Sequence, residues 1–432
     1  MADDKRLAPP WTFVPGLYVL QGMPYFVVQA AANTFFAAMG LSPSVVGHWS
    51  SDLTLPWMLK PLWSPLVDLF GTKRRWLVAM SCVAIVGIGA IAWAAGREQY
   101  LEWTIAACFL LAFTSATYDV ACDGYYMLAL DKREQEAFVG VRNAFYRLAK
   151  ILVTGGLVGL AGLLQRPTGE SFFAHGLARG KAWGIAFAIG GGVYAVGAFA
   201  IALFAPRPVA DAPVREPGAP APLRAMLREY TARPRFVGIL AFLLLYRFAE
   251  SLLTPMISPF LLRSKAAGGL ALDEAQVGWS YGTIGVIALL AGGLGGGWLV
   301  SRVGLVRAIW PMALAMHVPN LLYAWAAHAQ PGPAAASLVI GVEQLGYGFG
   351  FSAYMVFVLQ LSRTSRFATT HYAISTGLMG LSAWLAGRWS GDLVEALGFE
   401  RFFWLVSVLG LAGLATIPSQ MPRLRAAGAA QS

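Results

Sequence analysis

Charge is what this sequence has least of. Only 12% of its 432 residues are Asp, Glu, Lys or Arg, against 57% hydrophobic residues. A soluble chain carries roughly a quarter of its residues as charges, and a polar surface half that size cannot hold so apolar a chain in water. Cysteine is scarce too. Cys82, Cys108 and Cys122 all lie inside apolar runs with no CxxC spacing, which excludes a disulfide framework and a cysteine-based metal or redox centre. No GxxxxGK[ST] run occurs, so an ATP-driven pump within one chain is excluded. None of the five histidines has Asp five residues on, so the HxxxxD constellation of a membrane acyltransferase is absent and no enzyme is expected. The first apolar run is full length and lacks a small-residue cleavage site, so it reads as a retained span rather than a signal peptide.

Long apolar runs are what the chain does have. A helix needs about 20 mostly apolar residues to cross a bilayer. Twelve such helices are expected, at 13–38, 43–70, 76–95, 101–129, 136–164, 182–205, 236–262, 274–301, 306–328, 334–361, 368–392 and 400–421. The expected fold class is therefore an all-α polytopic membrane protein. None of the runs has the short alternating pattern of a barrel strand. Pro24, Pro56, Pro61, Pro255 and Pro319 fall within them, as packed membrane helices tolerate.

The formal net charge of +10 is spread over short alternate loops, which argues against a nucleic-acid surface. One set of loops holds Lys5, Arg6, Lys73, Arg74, Arg75, Lys132, Arg133, Arg302, Arg307, Arg363, Arg366, Arg423 and Arg425, and the central stretch adds Arg207, Arg215, Arg224, Arg228, Arg233 and Arg235. The opposite loops hold Arg97, Arg166, Arg179, Lys181, Arg263, Lys265, Arg388 and Arg401, fewer than half as many. By the positive-inside rule both termini and the central stretch are expected in the cytoplasm. Residues 206–235, rich in Pro, Ala and Arg, read as a linker between a six-helix bundle at 1–205 and a second at 236–421. A cytoplasmic tail follows at 422–432.

The two halves echo each other. SPLVDLFGTKRR (Ser64 to Arg75) follows the second span and GWLVSRVGLVR (Gly297 to Arg307) follows the eighth. Asp68 aligns with Ser301, Gly71 with Gly304, and Arg74 with Arg307. Internal repeats of this kind mark secondary transporters whose halves alternate about a central site.

These paired loops resemble the GxxxDxxGxRR-like signature of the major facilitator superfamily. The first copy departs from it at Ser64 and Leu69. Within that superfamily, LPWMLKPLWSPLVDLFG (Leu55 to Gly71), DVACDGY (Asp119 to Tyr125), Glu343-Gln344, FATTHYA (Phe367 to Ala373) and LVEALGF (Leu393 to Phe399) resemble segments of the AmpG muropeptide permease group. Tyr118 stands where Gln is usual, and His371 is a second departure. The resemblance implies a major facilitator fold of twelve helices in two pseudo-repeated bundles, with inward transport of an anhydromuropeptide together with protons. The gradient would be the driving force, and no cofactor or metal is implied. The same broad group includes acetyl-coenzyme A transporters and siderophore permeases. The implied setting is a monomer in the bacterial inner membrane, acting on a small-molecule substrate with no nucleic acid. A non-transporting membrane scaffold or assembly factor on the same fold is the reading from another class.

Charges at bilayer depth cost at least about 2.5–3.5 kcal/mol each by insertion scales, so they mark candidate function or interhelical pairing. Asp119 and Asp123 lie four apart on one helical face, where each carboxylate raises the other's proton affinity. They are the leading proton-coupling candidates, with Glu250 and Glu343 beside them. Arg142 and Arg147 on span five suit bidentate binding of carboxylate or phosphate, or permanent pairing with the two Asp residues. Lys60, Arg247, Tyr347 and His371, with Gln29 and Asn33 of a polar stripe on span one, complete the candidate substrate contacts. Arg247 and Glu250, three apart, are expected to pair. Asp52 and Lys60 are either transport residues or a structural pair. The resemblance to the superfamily motif implies a cytoplasmic gate at Asp68, Gly71, Arg74, Arg75, Ser301, Gly304 and Arg307, with Asp68 latching Arg74 and Arg75. His317 is isolated and reads as a core histidine.

Overall fold

The structure, a computed structural model, describes residues 9–130, 132–170, 172–208, 211, 228–363 and 368–429, and among these it contains helices and no strand. Nine of its helical stretches are long and apolar enough to cross a membrane. The last of them, within Ala368–Ala429, is two helices joined at Gly398, whose φ of 74° breaks the helix. That makes ten.

The other two are the first and second spans, which are the most polar or the most broken. The first runs unbroken through Val14–Phe26, Val27–Ala31 and Ala32–Ala38, but Gln21, Tyr25, Gln29 and Asn33 dilute its apolar content. The second is pieced from Pro43–Asp52, Leu55–Leu59, Lys60–Leu62 and Ser64–Leu69. Pro56, Pro61 and Pro65 each remove an amide donor there.

We number the spans α1 (14–38), α2 (43–69), α3 (Lys73–Ala94), α4 (Tyr100–Ala129), α5 (132–165), α6 (Arg179–Phe204), α7 (Phe236–Leu262), α8 (Glu274–Val303), α9 (Leu305–Ala329), α10 (Pro333–Arg363), α11 (368–397) and α12 (399–429). α1, α5 and α8 each contain a π-helical turn, at Val27–Ala31, Leu152–Leu157 and Gly278–Ile284. Such wide turns often mark functional positions in helices. Apolar side chains such as Val196, Phe199 and Leu294 lie exposed along the helices, as a lipid-facing surface requires.

The chain forms two compact units. The first comprises Met1–Met39, Leu53–Pro217 and Asp273–Gly282, and the second Gly40–Asp52, Gly218–Leu272 and Thr283–Ser432. Each unit thus includes one short piece from the opposite half of the sequence.

In the first unit Phe35 of α1 packs edge-on against Trp183 and Phe187 of α6, with ring centroids 5.4 and 6.0 Å apart. The start of α8 lies on α5 through glycines. A Cβ on Gly162 would fall 2.1 Å from the Ala275 amide nitrogen, and one on Gly278 would fall 2.7 Å from that of Gly159. Arg166 pairs with Asp273 at 3.1 Å and Arg179 with Glu274 at 3.0 Å beside this crossing.

In the second unit the core centres on Phe242, Tyr246, Tyr354 and Phe357, with Phe242 and Phe357 centroids 4.4 Å apart. Aromatic pairs of this kind contribute about 0.5–1.5 kcal/mol beyond the area they bury. The start of α2 crosses α11 as closely as α8 crosses α5. A Cβ on Gly391 would lie 2.0 Å from the Pro43 carbonyl oxygen. Asp52 accepts two 2.9 Å hydrogen bonds from Arg388 there, and His48 meets Asp392 at 3.0 Å.

The repeated loops share a glycine of positive φ. Gly71 has φ 76° and Gly304 φ 77°, and a Cβ on either would meet nothing within 4 Å. Glycine is required at both by the left-handed conformation alone.

Candidate transport site

The carboxylates of α4 are each matched to a cation from another helix. Asp119 accepts from Lys60 of α2 and from Gln21 of α1. One turn further on, Asp123 accepts from the Tyr18 hydroxyl of α1 at 3.2 Å and lies 3.8 Å from the Arg142 guanidinium of α5. That guanidinium sits 5.1 Å from the Tyr18 ring centroid and 5.3 Å from that of Tyr126. The four side chains are not sealed in: Asp123 is 46% exposed, Lys60 33%, Arg142 32% and Asp119 21%. Charges at membrane depth that stay partly solvated belong to a wet surface rather than to a dry packing contact. Lys60 opens a 3-10 turn of α2, Lys60–Leu62.

Of the other candidates in the first unit, Gln29 sits in the π-helical turn of α1. Its amide donates to the Leu53 carbonyl at 3.2 Å, and its oxygen accepts from Thr54 at 3.3 Å. Asn33 is buried one turn on, and Arg147 is half-buried on α5.

The loop after α2 is held by Arg74 and by Asp211, and the expected Asp68 latch involves a side chain outside the described residues. The Arg74 guanidinium donates to the carbonyls of Ala202 and Ala205 at the end of α6, the latter at 3.2 Å. The Asp211 carboxylate accepts from the backbone amides of Lys73 and Arg74 at 2.6 and 3.0 Å. A carboxylate there meets the unsatisfied amides and positive dipole end of α3. Arg75 is exposed. In the second copy Gly304, Ser301 and Arg307 are exposed, and the Ser301 hydroxyl bonds back to the Trp298 carbonyl at 2.7 Å.

In the second unit α7 breaks between Leu245 and Phe248, which turns Arg247 away from Glu250. Arg247 donates to the Tyr347 hydroxyl of α10 and lies 4.5 Å from the Phe351 ring centroid. Glu250 accepts instead from Asn320 of α9 at 2.6 Å. The expected Arg247–Glu250 pair is thus replaced by two separate contacts. Glu343, also buried, accepts from Tyr323 at 3.2 Å and Gln344 at 2.9 Å. His371 is fully buried against the chain before α7, its Nδ1 accepting from Arg233 at 2.6 Å and its ring 5.2 Å from that of Tyr230. Burial draws the Arg233 pKa below its usual value, partly offset by Tyr230 and Glu229.

Sequence reading missed Gln21 and Tyr18 as partners of the α4 carboxylates. For Gln21 the four-residue step to Tyr25 and on to Gln29 was the available signal, and Tyr18 lies one turn before Gln21 on the same helix. In the second unit Arg388 holds Asp52, and in the first Asp119 holds Lys60. Among the described residues no three His, Cys, Asp or Glu side chains gather as metal ligands would.

Among the described residues, twelve helical spans, an internal repeat and partly exposed charges within the spans define a polytopic membrane transporter. The Major Facilitator Superfamily profile matches residues 16–387, and the chain belongs to that superfamily. It is 26% identical over 398 residues to the anhydromuropeptide permease of Escherichia coli, covering 91% of this chain and 76% of that one. It is 22% identical to a Rickettsia felis transporter named AmpG 4, covering 92% of this chain and 93% of that one. Among solved structures the nucleoside transporter NupG superposes with TM-score 0.67 at 15% identity, covering 94% of this chain and 98% of NupG. A D-xylose-proton symporter gives TM-score 0.67 at 14% identity, covering 94% and 96%. The similarity to these two structures is one of fold.

Proposed function

We propose that the protein is a proton-driven importer of a bulky anionic solute of the anhydromuropeptide class, working by alternating access in a bacterial inner membrane. The observation that carries this reading is the double pairing on α4, where Asp119 meets Lys60 and Asp123 meets Arg142. Protonating either carboxylate releases a cation that an anionic cargo can then engage, so proton and cargo binding favour each other. Two carboxylates four residues apart also make it costly to keep both ionised. The names of the E. coli and R. felis relatives support the cargo class.

Arg147, Arg247 with Tyr347, and the polar stripe Gln29 and Asn33 are proposed as further cargo contacts, with Glu343 as an additional proton-coupling carboxylate. Gly71, Arg74, Arg75, Ser301, Gly304 and Arg307 are proposed to gate the cytoplasmic side together with Asp68. For His371, the contact with Arg233 supports a positioning part in place of direct cargo contact. The protein is proposed to act as a monomer with both termini in the cytoplasm, so alkaline phosphatase fused to the C-terminus should be inactive in cells.

The test is uptake into proteoliposomes of labelled anhydromuropeptide, a ferric siderophore and acetyl-coenzyme A, with and without an inward proton gradient. Gradient-stimulated uptake of anhydromuropeptide alone is expected. Uptake of one of the other two instead would reassign the cargo, and uptake of none would point to a scaffold.

A further inference from the structure

The second unit holds a buried acid–base pair that the α4 site does not use. Glu250 of α7 and His317 of α9 are both almost fully enclosed, with side-chain exposures of 2% and 3%. His317 Nδ1 lies 3.6 Å from Glu250 Oε1. Neither ring nitrogen of His317 has a hydrogen-bond partner in the protein. The same carboxylate oxygen accepts from Asn320, one turn along α9, at 2.6 Å.

The imidazole has a built place. A Cβ on Gly410 of α12 would fall 3.2 Å from the ring, and one on Gly413 would fall 3.3 Å from Nε2. These two glycines leave the space that the ring fills. The Tyr246 ring of α7 covers it edge-on, with centroids 5.9 Å apart.

The surrounding charges leave this carboxylate to His317. On α7, Arg247 is turned toward Tyr347 of α10. Glu343 of α10 is itself held by Tyr323 and Gln344. An unpaired carboxylate in such a place is costly. So is a buried imidazole whose two nitrogens find no partner. One proton serves both. It can sit on the carboxyl group beside a neutral ring, or on Nδ1 as an imidazolium facing the carboxylate, and the pair stays neutral overall either way.

We propose that Glu250 and His317 form a single proton-binding site within the second unit, holding one proton between carboxylate and imidazole, with Asn320 fixing the carboxylate. Its consequence for transport rests on the proton-coupled reading above: this site would take up and release a proton in addition to the α4 pair. The binding of the proton itself does not rest on that reading.

The test titrates purified full-length protein in detergent with no cargo, by infrared spectroscopy of the carboxylic-acid band and by nitrogen NMR of labelled histidine. Two groups sharing a proton titrate as one coupled unit. A carboxyl band absent from Glu250→Gln and a ring signal absent from His317→Gln should therefore follow one midpoint in the native protein. In Glu250→Gln, which retains an oxygen for Asn320, the His317 signal should leave that midpoint by at least about one pH unit. His317→Gln, measured for the carboxyl band, gives the same test if the first variant does not fold. Independent midpoints, or a midpoint unmoved by removal of the partner, would overturn the proposal. Because no cargo is present, these outcomes are separate from a failure of uptake in proteoliposomes.

Discussion

Lys60 and Asp119, 59 residues apart in sequence, pair across α2 and α4 in the first unit. The pair joins a lysine that opens a 3-10 turn within a broken span to a carboxylate in the interior of a long regular helix. Asp123, one turn along α4, repeats the arrangement with Arg142 of α5.

Removing the cation of the first pair should separate structure from transport. Breaking a fully buried pair costs about 3–5 kcal/mol. Lys60 is 33% and Asp119 21% exposed, so Lys60→Met should cost less, about 1–2 kcal/mol. Lys60→Met combined with Asp119→Asn should recover most of that loss in thermal unfolding, yet uptake should stay abolished. Recovery of both would make the pair purely structural.

The repeated loop offers a test by symmetry. Gly71→Ala and Gly304→Ala each force a side chain into the left-handed conformation at φ 76° and 77°, at about 1–2 kcal/mol. Gly297→Ala, a helical position with nothing within 4 Å of the new carbon, should be neutral or slightly stabilising. Equal behaviour of the three in thermal unfolding would contradict the assignment of a left-handed glycine to both loops.

A close helix crossing makes a sharper claim about the first unit. Gly162→Ala would drive a methyl group to 2.1 Å from the Ala275 nitrogen, and overpacking of this sort costs about 1–3 kcal/mol. Gly156→Ala, with open space around it, should leave the unfolding temperature nearly unchanged. If both variants unfold like the native protein, α5 and the start of α8 do not pack this closely.

Much of this was legible in the sequence, for reasons that are local. Span length and apolar content mark α3, α4 and α6 without ambiguity. The four-residue step of Asp119 and Asp123 puts both carboxylates on one face before any neighbour is known. What stayed hidden depends on other helices or on breaks in the ideal geometry. The three-residue step from Arg247 to Glu250 predicts contact only on a continuous helix, and α7 breaks at Tyr246–Arg247. The two side chains therefore go to α10 and α9. His317 looked solitary because its partner is 67 positions earlier in the chain and on another helix. Nothing in the sequence order shows that Gly40–Asp52 belongs with the second unit and Asp273–Gly282 with the first. Each piece is held by backbone contacts at glycines, which leave no periodic apolar signal.

The central claim is that the α4 carboxylates couple proton entry to cargo entry. The most direct measurement is the internal pH of proteoliposomes loaded with an indicator dye, recorded when anhydromuropeptide is added outside. The native protein should acidify the interior in step with uptake. Asp123→Asn should show neither acidification nor accumulation while retaining exchange of labelled for unlabelled cargo. Uptake without acidification, or normal acidification by Asp123→Asn, would contradict the account.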